Sequence, residues 1–380
     1  MIVGIDIGTY QIKIVVANKS AKGLPHVIGT GYAESKGLRH GYIVNTADVT
    51  RALLQAKRQA EKTAGVSIKK AYLSVGGVGL GSVISSGSTV ISRADSEITE
   101  EDIEKAQEEA EKNIPEDQVL NRKIVHTIPI KYKVDNKVVL GRVSDMKGSR
   151  LESEILFVTS LENHLDDLIE AVEDADIEVV DVMASPLAAS FVTLTKTQKV
   201  AGCVLANIGA ETVSIVVFEN DVPISLETFP VGSTDITNDI ALGLKIPLEE
   251  AEQVKRGGMI TTSYSEKKLE DIVSARISDI LDLIDAHLKK IGRSGLLPAG
   301  IILTGGGSGT GNITDLARNS LKLPSRISNL LEKNERLQDS TWAVSYGLCI
   351  FGSSDNRAGS SASFSRMFRK IKNTISQFLP

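Results

Sequence analysis

The chain has 380 residues, 42% hydrophobic and 24% charged, a balance that suits one large or several small globular domains and excludes a disordered or fibrous polymer. Its net charge of −5 and aromatic content of 4% supply neither the basic field nor the stacking platforms of a protein that wraps nucleic acid. The charge is uneven: Arg357, Arg366, Arg369, Lys370 and Lys372 stand in an acid-free end segment, so a basic tail follows an acidic body.

In chain order, runs rich in Val and Ile predict strands at 2–7 and 11–17, then a helix at 46–64 and a strand at 72–75. Residues 85–160 change character, opening on a Ser/Gly-rich stretch. A charged helix follows at 99–112, then strands near 123–134 with the turn Asp135-Asn136. The helix begins Thr99-Glu100-Glu101-Asp102, a cap followed by acids that suit the positive end of a helix. This segment reads as a small inserted α+β module. Strands at 154–159 and 177–182 flank a helix at 162–175, and two more strands fall at 202–208 and 213–218. Helices at 234–243, 247–256 and 266–291, a strand at 300–304 and a helix at 313–321 complete an α/β chain. Ser353 to Ser363 is Ser/Gly/Ala-rich and reads as a flexible tether. Cys203 and Cys349 sit in apolar runs and read as buried free thiols of a reducing compartment. His26, His40, His126, His164 and His287 are too scattered to suggest a metal. No basic region with an apolar core precedes the first strand, and no apolar run approaches the roughly 18 residues of a spanning helix. A cytosolic body is expected.

An internal duplication carries more information than any single element. The string Ile5-Asp6-Ile7-Gly8-Thr9-Tyr10-Gln11-Ile12-Lys13 aligns with Ala206-Asn207-Ile208-Gly209-Ala210-Glu211-Thr212-Val213-Ser214. Each copy is an apolar strand, a small turn with glycine at the same place, and a second strand. Gly8 lets the backbone approach a ligand and aim N–H groups at it. Thr9 adds a hydroxyl, Lys13 a point charge for phosphate oxygens, and Asp6 a carboxylate able to hold water around Mg²⁺. Alone, such a turn is a weak signal, because hairpins commonly use Asp and Gly; its repetition makes it specific. A third turn, Leu303-Thr304-Gly305-Gly306-Gly307, joins a strand to a helix and costs conformational entropy that a simple connection avoids.

Together these turns resemble the actin/Hsp70/sugar-kinase nucleotide fold. The strings SVGG at 74–77, EITEEDIEKA at 97–106, IVHTIPIKYKVDN at 124–136, PVGSTDITNDIALGL at 230–244 and EEAEQVK at 249–255 narrow the resemblance to the bacterial cell-division FtsA family, over nearly the whole chain. The resemblance implies an actin-like α/β fold, two duplicated RNase H-like lobes around a nucleotide cleft, with an inserted small α+β subdomain. It divides the chain into a first lobe (1–84 and 161–198), the insertion (85–160), a second lobe (199–232 and 298–352) and its outer subdomain (233–297). It implies ATP with Mg²⁺, protofilaments of the chain itself, and a dock for the C-terminal peptide of the tubulin-like protein FtsZ on the outer subdomain. Other division proteins would meet the insertion. By position, Asp6, Gly8, Thr9 and Lys13 resemble the first phosphate turn, with Asp6 the Mg²⁺ residue through water. Asn207, Gly209 and Thr212 resemble the second phosphate turn, and Gly305, Gly306 and Gly307 the adenosine turn. Glu252 and Lys255, three apart on one helix face, resemble the wall beside ribose and base.

The second turn departs from the superfamily pattern D-I-G-G-G-T. Asn207 removes a charge that helps organise hydrated Mg²⁺, and Glu211 puts a carboxylate near the γ-phosphate, so ATP binding with slow or undetectable hydrolysis is expected. Two other functions share the fold: the related actin-like protein of type IV pilus assembly, and a sugar or carboxylate kinase. The kinase would need a placed carboxylate base, and none can be singled out.

The tail favours the division reading. At about 100° per residue, Phe364, Met367, Phe368, Ile371, Ile375, Phe378 and Leu379 fall within about a 120° arc, with Arg366, Arg369 and Lys370 behind it. An apolar face with a basic back describes a helix over 364–379 lying in an anionic membrane surface. The expected place of the protein is thus peripheral, on the inner face of the cell membrane at the division septum.

Overall fold

The duplicated strings fold as two antiparallel hairpins in the same register. Asp6 stands opposite Lys13 and Ile7 opposite Ile12 in the first, Asn207 opposite Ser214 and Ile208 opposite Val213 in the second. Both turns close on the same bond: Gly8 N–H donates to the Gln11 carbonyl at 3.2 Å, Gly209 N–H to that of Thr212 at 2.8 Å. The structure, a computed structural model, describes residues 1–20, 23–139, 141–260, 263–330, 337 and 339–354.

Each hairpin is the centre of a five-stranded sheet, and the two sheets have one topology. The first runs Glu178–Ala184, Lys70–Val75, Ile2–Ile7, Gln11–Asn18, His26–Glu34. The second runs Ser325–Ile327, Ile301–Thr304, Cys203–Ile208, Val213–Glu219, Val222–Phe229. In both, the first three strands are parallel and the last two antiparallel additions. Alternation along a strand sends successive side chains to opposite faces. Cys203 and Leu205 therefore join a core shared with the first sheet, whereas Val204, Ala206 and Ile208 pack under the helices Ser233–Leu244, Glu266–Lys290 and Ile313–Leu321. The two halves thus rest on common apolar ground.

Between the sheets lie two helices, Ser185–Thr193 and Ala343–Ser354, that are buried nearly all round. Lacking a polar face, they carry no amphipathic period to betray them in the sequence. They touch backbone to backbone: a Cβ on Gly347 would stand 1.9 Å from the Ala188 carbonyl oxygen. The second helix runs to Ser354, two residues into the segment expected as a tether. The rest of that tether and the whole expected tail helix, Phe364 to Leu379, lie outside the described residues. Both cysteines are buried and free, as expected, and burial pushes each thiol up to about 12.

A four-stranded antiparallel sheet forms from Gly81–Val90, Arg150–Leu161, Arg122–Val134 and Lys137–Val139. Helix Glu100–Lys112 packs on it, its first turn held by the Thr99 N–H to Asp102 bond at 2.9 Å. The Asp135-Asn136 turn takes positive φ at both residues, as a tight hairpin requires. The Ser/Gly-rich opening is a strand, and Gly87 lets the helix settle on it: a Cβ there would lie 2.2 Å from the Ala106 carbonyl. Two contacts fix this sheet to the halves. Ala184 N–H donates to His126 Nε2 at 3.0 Å, and Ser82 Oγ bonds both N–H and C=O of Leu226 at 2.8 Å.

Candidate functional site

The hairpin turns point into one cleft of about 1030 Å³, at the upper end of the size that holds a cofactor. From the first hairpin come Asp6, Gly8, Thr9 and Lys13; from the second, Asn207, Gly209 and Thr212. Thr9 and Ala210 hold the same place in the two turns, and neither backbone N–H has a protein acceptor among the described residues. Paired unspent amides on facing turns are suited to an anion.

Lys13 is the cation at this end. Its Nζ donates to the Thr341 carbonyl at 3.1 Å and stands 5.8 Å from the Trp342 ring centroid. An ammonium has three donors, so others remain for a ligand. Burial pushes its pKa down, while Asp6 and Asp339 hold it up. Asp6 accepts from Ser74 Oγ at 2.7 Å; burial raises its carboxyl, against the pull of Ser74 and Lys13. Among the described residues no group of three or more His, Cys, Asp or Glu could hold a metal. A lone carboxylate of this kind fits Mg²⁺ only through water and with ligand oxygens completing the shell.

The three glycines have three roles. Gly305 sits at φ 88°, and a Cβ there would lie 2.4 Å from Asn207 Oδ1. Gly306 has open space where its side chain would be and lines the cleft. Gly307 does not line it: its N–H donates to the Ile208 carbonyl at 3.0 Å, docking the turn on the second hairpin. The structure thus separates Gly307 from the residues it was grouped with.

Glu252 and Lys255, on helix Leu248–Lys255, form the side wall. They are a knit cluster rather than a solvated pair. Lys255 Nζ meets Glu252 Oε2 at 2.6 Å and also donates to the Ser233 carbonyl and Thr237 Oγ1; Thr237 Oγ1 in turn donates to Glu252 at 2.6 Å. Burial works to raise the Glu252 carboxyl, but bonds from Lys255, Thr237 and Arg256 outweigh it and hold it below the usual range.

Glu211 differs from expectation. It does not line the cleft; its carboxylate accepts the His40 N–H at 2.5 Å, on the other half of the molecule. Sequence reasoning also missed Tyr10, Ser74, Thr237, Arg256 and Thr341 in the cleft. Ser74 was within reach, since it opens the SVGG string at the end of a strand. The others are assembled only by the fold.

Twin sheets of one topology, joined by a shared core and facing glycine turns across a cleft, define an actin-like fold. Solved structures agree. The chain superimposes on a protein of the PilM-PilN type IV pilus biogenesis complex with a TM-score of 0.69 at 17% identity, covering 93% of this chain and 98% of that one. It matches MreB5 of Spiroplasma citri bound to ADP with a TM-score of 0.53 at 12% identity, covering 92% and 95%. Sequence comparison is more specific. Residues 204–347 match the family of the cell division protein FtsA, and residues 77–159 the SHS2 domain inserted in FtsA. The FtsA of Bacillus subtilis is 30% identical over 86% of this chain and 78% of its own length. That of Pseudomonas aeruginosa is 28% identical over 96% and 92%. The chain belongs to the FtsA family of cell-division proteins.

Proposed function

We propose that the protein binds ATP with Mg²⁺ in this cleft, polymerises into protofilaments, and tethers the FtsZ ring to the cytoplasmic membrane at the septum. One observation carries the nucleotide reading: two hairpins of identical register bring unspent amides to one cleft, which Lys13 also lines. Thr9, Ala210 and Lys13 would hold the phosphates, and Gly306 with the Glu252–Lys255 wall would meet the nucleoside. Mg²⁺ would arrive with the phosphates and reach Asp6 through water. Nothing equivalent to Asp6 stands at Asn207, and Glu211 is engaged by His40, so hydrolysis is slow in this account.

The division into first lobe, insertion, second lobe and outer subdomain belongs to the same proposal. The FtsZ peptide would dock on the outer subdomain over 233–297, and further division proteins on the insertion. Among the described residues no helix is long and apolar enough to cross a membrane. Attachment is assigned instead to the apolar and basic faces of the tail, which make the protein peripheral on the inner face of the membrane. A single tail of this size binds weakly; tails arrayed on a filament share one surface and gain effective concentration. Electron microscopy of the protein with ATP on an anionic lipid monolayer tests polymerisation and attachment together. Filaments on the lipid are expected, with Phe368→Asp or Ile371→Asp leaving filaments but freeing them from the lipid. Lipid binding by those variants at the wild-type level would remove the tail from the proposal.

A further inference from the structure

Tyr10 and Glu211 occupy equivalent places in the duplicated turns, and each bonds a residue of the opposite half. Arg256 Nη2 donates to Tyr10 Oη at 3.1 Å, with the guanidinium carbon 5.5 Å from the Tyr10 ring centroid. In the other direction, the Glu211 carboxylate accepts from the His40 N–H at 2.5 Å, and its carbonyl oxygen lies 3.2 Å from His40 Nδ1. Neither contact belongs to a hydrophobic core of either half. Both are aimed by their surroundings. Arg256 is steered by Glu252 at 2.7 Å, itself pinned by Lys255 and Thr237. His40 is held at φ 49°, in the left-handed region uncommon for side chains other than glycine, beside Gly41, where a Cβ would lie 2.3 Å from the Gly77 Cα.

We propose that Tyr10–Arg256 in the cleft and Glu211–His40 beside it form a two-point latch between the halves, and that this latch sets how long a bound nucleotide stays. The inference rests on the nucleotide reading above. Tyr10 and Arg256 both line the cleft, so a ligand resting on the turns leaves past them. Arg256 keeps more than half of its side-chain surface exposed, and contacts of that kind are individually weak. The latch is therefore reversible, opening and closing as the halves turn on their shared core. Placement of one latch point on each copy of the turn means that opening either one loosens the hold on the other.

The test uses the full chain with the single variants Arg256→Ala and Glu211→Ala, the double variant, and the milder Tyr10→Phe, which keeps the ring and removes the hydroxyl. Dissociation of a fluorescent ATP analogue, chased with unlabelled ATP, should speed up roughly 3- to 10-fold in each single variant. The double variant should be faster still, and Tyr10→Phe should lie between wild type and Arg256→Ala. Separately, spin labels at Val44→Cys and Leu242→Cys, both exposed positions, report the separation of the halves without ligand. The double variant should shift that distribution to longer and broader distances. A wild type that binds no analogue would sink the nucleotide reading while the spin-label distances still judge the latch. Unchanged distances together with dissociation within 2-fold of wild type would overturn the latch. Should a truncation to alanine lower the melting temperature sharply, Tyr10→Phe decides, since it removes one hydrogen bond and no packing.

Discussion

The hairpin of Ile2–Ile7 and Gln11–Asn18 presents Asp6 and Lys13 to the cleft, whereas that of Cys203–Ile208 and Val213–Glu219 presents Asn207 and Ser214 at the same register positions. Their backbones make the same closing bond and leave the same N–H groups, at Thr9 and Ala210, unspent. Duplication has kept the part of the site that peptide geometry supplies and let the charge diverge. The first hairpin then contributes a cation and a carboxylate, the second only neutral groups. The copies are also anchored differently: the first half is tied to the inserted sheet through His126, and the second buries His287 beside Ser225 Oγ at 2.7 Å.

Those two imidazoles give the largest expected effect. Burial pushes His126 down to about 3; burial, aided by the Lys290 charge, pushes His287 down to about 4. Both are neutral in the folded protein, and His126 must be, since its Nε2 accepts the Ala184 N–H. A depressed folded pKa contributes stability that is present above the unfolded value near 6.5 and is lost as pH falls toward the folded one, at about 1.4 kcal/mol per pH unit for each group. Denaturant unfolding followed from pH 7 to pH 3 should show this loss. His287→Gln should flatten the slope between about pH 6.5 and 4, and His126→Gln between about pH 6.5 and 3. Acid limbs identical to wild type in both variants would separate stability from these anchors.

Next in size is the third turn, which docks on the second hairpin. Gly305→Ala forces a side chain onto a positive φ and against Asn207 Oδ1, at an expected cost of about 2–3 kcal/mol. Gly306→Ala meets open space and should stay within about 1 kcal/mol in the same denaturant titration. Equal costs would mean that the turn is not docked as described.

The charge difference itself is tested by binding. Lys13→Met should weaken ATP roughly 30-fold, or about 2 kcal/mol, the range of a charge-assisted hydrogen bond. At the equivalent position of the second copy, Ser214→Ala should change affinity less than about 3-fold, both by titration calorimetry. Similar losses from the two would show that the halves share the charge work after all. A smaller change than that of Lys13→Met is expected of Asn207→Asp, which makes the second hairpin match the first: affinity within about 10-fold and phosphate release faster by several-fold, about 1 kcal/mol on the barrier. No gain in turnover would detach slow hydrolysis from that residue.

The hairpins were legible because they are local: an apolar strand, a glycine turn and another strand fix their own pairing. Amphipathic helices such as Thr46–Ala64 and Ile313–Leu321 also declared themselves, with bounds that match the sequence pattern. What escaped was structure whose signal lies in a neighbour. Strand His26–Glu34 contains Gly29 and Gly31, which look like breakers, yet they lie under Ala56, Ala60 and Ala64 of one helix, so close that a Cβ would collide. Strand Gly81–Val90 hides the same way beneath Ala106 and Ala110. In the cleft, Asp6, Lys13, Asn207, Glu252 and Lys255 followed from motif and helix spacing. Tyr10 and Arg256 did not, because their partners come from the far half of the chain, and long-range pairing with His40 turned Glu211 away from its expected place.

The account stands on two copied turns acting as one grip, and a crystal structure with Mg²⁺ and a non-hydrolysable ATP analogue tests that most directly. Phosphate oxygens within hydrogen-bond distance of both the Thr9 and the Ala210 N–H, with Lys13 Nζ on the same group, are the expected result. A cleft without analogue at millimolar concentration, or phosphates resting on one turn only, would contradict it.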